Sequence, residues 1–393
     1  MSETQLPKGF LAAGVNCGVR QARPDLGIII SQDPSVAVVV VTQNTCKAAP
    51  IRYCQEILPC SDLRAVITNS GQANAATGKQ GDTDNATVVA QLAVALGCQP
   101  HQIAIASTGV VGERLALDKI TSAIPNLVDQ ASKDVKEFSQ AILTTDTVIK
   151  VCSEEIVLSQ GKVRLTGVCK GSGMIHPNMA TMLAYFMTDA KVAPAIAQTI
   201  LTETMDESLN MVSIDGEMST NDCAFLLANG ASGIEIKSDQ DLAKFKQSFL
   251  CVAQTLAELL ARDGEGATKV IVVTVAGVSD RTLARKLARS LTTSPLIKTA
   301  IHGCSPNWGR ILVRLGAEGV AAEILDQCSL SIQGQEIFSQ GQETKVELRS
   351  LEKSLAEDTI HIHVDLRNGS ESACAWGCDL SAEYVKINAE YLS

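Results

Sequence analysis

The chain has 393 residues, is 46% hydrophobic but only 3% aromatic, and carries 43 acidic against 33 basic side chains for a net charge of −10. That is enough small aliphatic material for a large core and two or three lobes. No Lys/Arg-dense run exists to bind a nucleic acid, and no apolar run is long enough to cross a bilayer. The first residues, Met-Ser-Glu-Thr-Gln-Leu-Pro, show no basic start followed by an apolar stretch, so a soluble cytoplasmic protein is expected. Thirteen cysteines, an odd number scattered without a leader, read as reduced packing residues. The Cys374/Cys378 spacing has no second half and is weak as a zinc site.

In chain order, Val36–Thr42 and Ala65–Asn69 read as buried strands, and 83–96 as a helix capped by Thr83 or Asp84. Ile103–Ala106 is a short strand that ends at a Ser107-Thr-Gly109 turn. Ser159-Gln-Gly161 turns into a hairpin arm over 162–168, and 182–188 is the next strand. Helices are expected over 194–210, 239–262 and 281–291, with strands over 269–275 and 359–366. Helix 239–262 places Leu242, Phe245, Phe249, Val252, Leu256, Leu259 and Leu260 at the spacing of one face. The alternation predicts an α/β or α+β protein, with sheets covered by helices.

Chemistry concentrates in Lys170-Gly-Ser-Gly-Met-Ile-His-Pro-Asn-Met-Ala-Thr181. A threonine hydroxyl is a poor nucleophile without a base beside it. Cutting the Ala180–Thr181 bond would free an α-amine on the same residue, and such an amine titrates at about 7.7–8.0, where it can take the hydroxyl proton. The residue types alone favour a plain Gly-rich turn entering a buried strand. His176 lies inside this segment and is a candidate assistant to cleavage. His361 and His363 share one face of a strand, a pattern that outward-facing polar alternation explains better than metal binding. Gly171-Ser-Gly173 lacks the third glycine of a dinucleotide fingerprint, and no GxxxxGK[ST] loop or HExxH occurs.

The whole string resembles the cleavage-site signature of the ornithine acetyltransferases, the bifunctional glutamate N-acetyltransferases of arginine biosynthesis. Further strings resemble that family in its order: Gly9–Gly18, Ser107-Thr-Gly-Val-Val-Gly112, Thr144-Thr-Asp-Thr147, Asp215–Asp222, Arg262–Lys269, Pro306–Arg310, Trp376-Gly-Cys-Asp-Leu and Tyr384–Tyr391. The resemblance implies layered sheets sandwiched by helices, a DmpA-like arrangement with a smaller C-terminal lobe from about residue 280. It also implies two fragments, 1–180 and 181–393, assembled as a heterotetramer of two copies of each.

Carried over motif by motif, Thr181 is the nucleophile, with Thr108 and Gly109 as the oxyanion hole. Thr144, Lys170, Thr181, Glu265, Asn388 and Ser393 are the substrate contacts. The implied activity moves acetyl from N2-acetyl-L-ornithine to L-glutamate through an acetyl-Thr181 ester, with acetyl-CoA as a further donor left open. No metal or cofactor is called for. On residue type alone, Lys170 also fits a solvated surface lysine, and Asp263-Gly-Glu-Gly266 a plain helix-terminating turn. A hydrolase on the related aminopeptidase framework and a non-catalytic amino-acid binder are the rival readings. The chain departs from the family strings at Ser305, at Glu217-Met218 and at Ser393, which puts fine specificity in doubt.

Overall fold

The computed structural model describes residues 4–176 and 182–390. Ala180, Thr181 and Ser393 lie outside the described residues. Strands follow as β1 (Phe10–Val15), β2 (Leu26–Val41), β3 (Cys60–Gln72), β4 (Ile103–Val110), β5 (Lys150–Leu158), β6 (Gly161–Lys170) and β7 (Leu183–Thr188). After them come β8 (Val212–Ser213), β9 (Cys223–Ala228), β10 (Val270–Val278), β11 (Ser329–Ile332) and β12 (Gln335–Ser339). The last are β13 (Gln342–Glu343), β14 (Thr359–Asp365) and β15 (Glu371–Cys378).

Two mixed sheets result. One has the order β4-β3-β2-β9-β7-β6-β5, with β1 paired to β2; the other runs β13-β12-β11-β14-β10-β15-β8. The first sheet is composite: β1 to β6 precede residue 181, whereas β7 and β9 follow it. Strand β7 lies between β6, antiparallel, and β9, parallel. It is buried on both faces, which accounts for its unbroken apolar run Leu-Ala-Tyr-Phe-Met. Ala184 and Phe186 point into one core cluster, Leu183, Tyr185 and Met187 into another. Each large side chain so buried contributes about 1.5–3 kcal/mol. The Tyr185 hydroxyl is satisfied by Thr68 Oγ1 at 2.7 Å.

Helix Asp239–Arg262 starts where Ser238 accepts from the Asp241 N–H, and it buries Phe245, Phe249, Val252, Leu256 and Leu260. It packs against β5 and β6 of the first sheet and β15 of the second, so one helix ties the two sheets together. Helix Arg281–Thr293 covers β10 and β15.

Several boundaries differ from expectation. The helix expected from residue 83 begins at Gly78, and neither Thr83 nor Asp84 caps it. Thr83 donates to the Lys79 carbonyl, and Asp84 is buried against Arg114. Strand β2 is sixteen residues long because it continues through Gln32-Asp-Pro34 by a shift of register against β3. The helix from Pro194 ends at Asp206, and a short 3-10 turn covers Leu209–Met211. His361 and His363 are exposed on β14, alternating with buried Ile360, Ile362 and Val364.

Candidate active site

Strands β3 and β4 run parallel and end side by side, with Ser70 opposite Thr108 and Gly71 opposite Gly109. Asn221 fastens these ends, its amide donating to the carbonyls of Ala73 (2.6 Å) and Ser107 (2.9 Å). Gly109 sits at φ +125°, and a Cβ there would lie 2.2 Å from the Gly71 carbonyl carbon, so this turn admits only glycine.

Lys170 closes β6, and its side chain turns inward. Nζ donates to Thr144 Oγ1 at 2.8 Å and to Thr108 Oγ1 at 3.2 Å. The residue is 7% exposed, which excludes the solvated surface lysine. Burial lowers its affinity for a proton, and the neighbouring Asp146 carboxylate opposes that without cancelling it.

A buried charge network supports this lysine. Asp146 Oδ1 accepts from Lys150 Nζ at 2.7 Å and from the Gly171 N–H at 2.6 Å, while Oδ2 accepts from the Thr144 N–H at 3.0 Å. Lys150 Nζ also reaches Asp263 Oδ2 at 2.5 Å. Burial alone would raise the Asp146 carboxyl, but Lys170 and Lys150 overcome it and hold the group ionised well below the usual carboxylate range. Lys150 likewise keeps its proton, the two carboxylates outweighing burial. Segment 144–147 is thereby locked to Lys170 and Gly171 and, through the Thr147 N–H, to Asp263.

Glu265 is 8% exposed. Its N–H donates to the Ser172 carbonyl at 2.9 Å, and its Oε2 accepts from Asn388 Nδ2 at 2.8 Å. Gly173 passes so close that a Cβ there would stand 2.4 Å from the Glu265 carboxyl. The turn therefore presents a carboxyl to the interior as well as ending a helix.

Thr108, Gly109, Thr144, Lys170, Glu265 and Asn388 all line one cavity of about 260 Å³, together with Met182 and Leu183. Met182 is the residue after Thr181, and its carbonyl accepts from the Cys223 N–H at 2.9 Å. The lining is positive at Lys170 and acidic at Asp215, Glu217 and Glu265. Such a cavity suits an amino acid, with its carboxylate toward the lysine and its ammonium toward the acids. Asp222 also lines it; its Oδ2 is buried without a hydrogen-bond partner among the described residues, and burial pushes its carboxyl well above the usual range.

Sequence reasoning missed Asp146, Lys150, Asn221, Asp222 and Asp263 as individuals. Asp146, Asn221, Asp222 and Asp263 lie inside strings already quoted, which was a usable signal. Lys150 carried none. His176 donates from Nδ1 toward Ser213 Oγ at 3.0 Å and meets Arg289 at Nε2, outside the cavity lining. Of the departures, Glu217 lines the cavity, and Met218 bridges to Ile175. Among the described residues no helix is long and apolar enough to cross a membrane.

Comparison with known proteins is consistent in sequence over nearly the full chain. A family model described as the ArgJ family matches residues 11–393. The Arginine biosynthesis bifunctional protein ArgJ of Bacillus licheniformis is 43% identical over 388 residues, covering 98% of this chain and 95% of that protein. Its namesake from Thermotoga neapolitana is 42% identical over 393 residues, covering 98% and 99%. A solved structure of ornithine acetyltransferase complexed with ornithine, from Mycobacterium tuberculosis, is 33% identical. It aligns at a TM-score of 0.43 over 46% of this chain and 98% of that one. The chain belongs to the ArgJ family.

Proposed function

We propose that this ArgJ-family enzyme is a self-cleaving acetyltransferase of arginine biosynthesis, made of fragments 1–180 and 181–393 that remain in one fold. Cleavage before Thr181 frees its α-amine. That amine takes the hydroxyl proton as the oxygen attacks the acetyl carbonyl of N2-acetyl-L-ornithine. The Thr108 hydroxyl and the Gly109 N–H donate to the oxyanion. Collapse expels ornithine with a proton and leaves an acetyl-Thr181 ester. The amine of L-glutamate then attacks that ester by the same route, yielding N-acetylglutamate and free Thr181.

Lys170 holds the substrate carboxylate, Glu265 the ammonium, with Asn388 orienting Glu265; Thr144 and Ser393 complete the contacts. The relatives are described as bifunctional, which leaves acetyl-CoA open as a further donor. A cytoplasmic assembly of two copies of each fragment is part of the same reading.

One observation carries the proposal: Thr108, Gly109, Lys170 and Glu265 line the same cavity as Met182, the residue joined to Thr181. Intact-mass spectrometry under denaturing conditions tests cleavage, with two fragments meeting at Ala180/Thr181 expected. Thr181→Ala should leave one chain and no transfer. An uncleaved Thr181→Ala protein that still transfers acetyl refutes the mechanism, and acetate release independent of glutamate marks a hydrolase instead.

A further inference from the structure

A second cavity, of about 480 Å³, shares no lining residue with the first. It opens between helix Arg281–Thr293, helix Gly309–Ala317 and His176. Its wall holds four cations, Arg285, Lys286, Arg289 and Arg314, against two carboxylates, Asp206 and Glu318. Two positive charges are in excess, on a protein of net charge −10.

The pairing shows where the excess sits. Arg285 is matched to Asp206 by contacts of 2.9 and 3.2 Å. Lys286 and Arg314 share one carboxylate, Glu318, at 3.0 and 2.7 Å. Arg289 has no acidic partner among the described residues; its terminal nitrogen meets His176 Nε2 at 3.1 Å. Arginine can only donate there, so Nε2 is the acceptor and the imidazole is neutral. Burial, with Arg289 adding to it, holds His176 down at about 4, in keeping with that tautomer. The Nε–H groups of Arg289 and Arg314 are both buried without an acceptor among the described residues. Two guanidinium groups on separate helices thus line one cavity.

We infer that this cavity binds the phosphate end of an organic phosphate. A carboxylate offers two oxygens in one plane and one charge. A phosphate group offers oxygens in several directions and up to two charges, matching two guanidinium forks and the surplus. The cavity is larger than a lone phosphate requires, so the group belongs to a larger molecule. This site is independent of the acetyl-transfer reading.

Isothermal titration calorimetry of the intact protein at fixed ionic strength tests it, with inorganic phosphate and adenosine 5′-diphosphate as probes. Saturable one-site binding is expected, weakened about tenfold to a hundredfold by Arg289→Gln and by Arg314→Gln, since each removes a charge-assisted bond. Tighter binding of the nucleotide supports an organic phosphate; equal binding overturns the inference that the group belongs to a larger molecule and leaves a free-phosphate site. Arg289→Lys keeps the charge and should bind with intermediate affinity, which covers the case of a glutamine variant that fails to fold. Absence of saturable binding by both probes overturns the inference, as does affinity unchanged in both glutamine variants.

Discussion

Asp146→Asn is the most informative substitution, because this one carboxylate serves both stability and the site. It is nearly isosteric, yet it removes the negative charge between Lys150 and Lys170. The Asp146 and Lys150 side chains are each 0% exposed, so neither can turn to water. Breaking a buried pair of this kind costs about 3–5 kcal/mol. Lys150 keeps Asp263 at 2.5 Å, which points to the lower end, about 3 kcal/mol. Urea titration of wild type and variant at neutral pH measures that loss.

A second readout separates the site from the scaffold. Lys170 is already depressed by burial, and Asp146 is the chief influence opposing it. With that charge gone, Lys170 gives up its proton at lower pH. Binding that needs a charged Lys170 is present below its folded pKa and lost as pH rises through it. The alkaline rise in KM for N-acetylornithine should therefore begin at lower pH in the variant. A stability loss below about 1 kcal/mol, together with an unmoved alkaline limb, refutes the account of this network.

Gly109→Ala places a Cβ 2.2 Å from the Gly71 carbonyl carbon and should cut acetyl transfer by about 10²–10³, with the two fragments still formed if cleavage does not need that donor; single-turnover acetylation of Thr181 reads it directly. Asp222 has a folded pKa above its unfolded one, so the native state holds the extra proton. Its stability contribution is full below the ordinary carboxylate value of about 3.9 and falls as pH rises, by up to about 1.4 kcal/mol per unit. Asp222→Asn should flatten that decline in urea midpoints taken from mildly acidic to neutral pH. His176 is neutral near physiological pH, so His176→Gln should leave the acid limb of the rate profile where it is; a displaced limb would give this histidine a role in proton transfer.

The elements most legible in the sequence were those with a single dominant signal. Helix Asp239–Arg262 has a serine cap and an unbroken apolar stripe, and its bounds match the periodicity. The helix beginning at Gly78 lacks both: Thr77 makes no side-chain cap, and its first turn, Gly-Lys-Gln-Gly, has no apolar period. The strand expected from Val36 begins instead at Leu26, because a register shift carries β2 past Pro34. The cavity lining was legible only through composite strings resembling a family. Lys150 shows why the remainder was not. A lysine heading the mixed run Val-Cys-Ser-Glu-Glu looks like an exposed strand end, and its partner Asp263 is 113 residues away. Only the pairing of strands and helices in three dimensions makes it an interior cation.

The position of β7 has a consequence for molecularity. Its ladder to β6, and that of β9 to β2, each join six residue pairs across residue 181 in the chain. A break before Thr181 would leave those ladders and the shared core intact, so the pieces would not drift apart. Unfolding would nevertheless release two particles in place of one. The denaturation midpoint of the cut protein should then climb more steeply with protein concentration than that of an uncut Thr181→Ala chain, which unfolds to half as many particles.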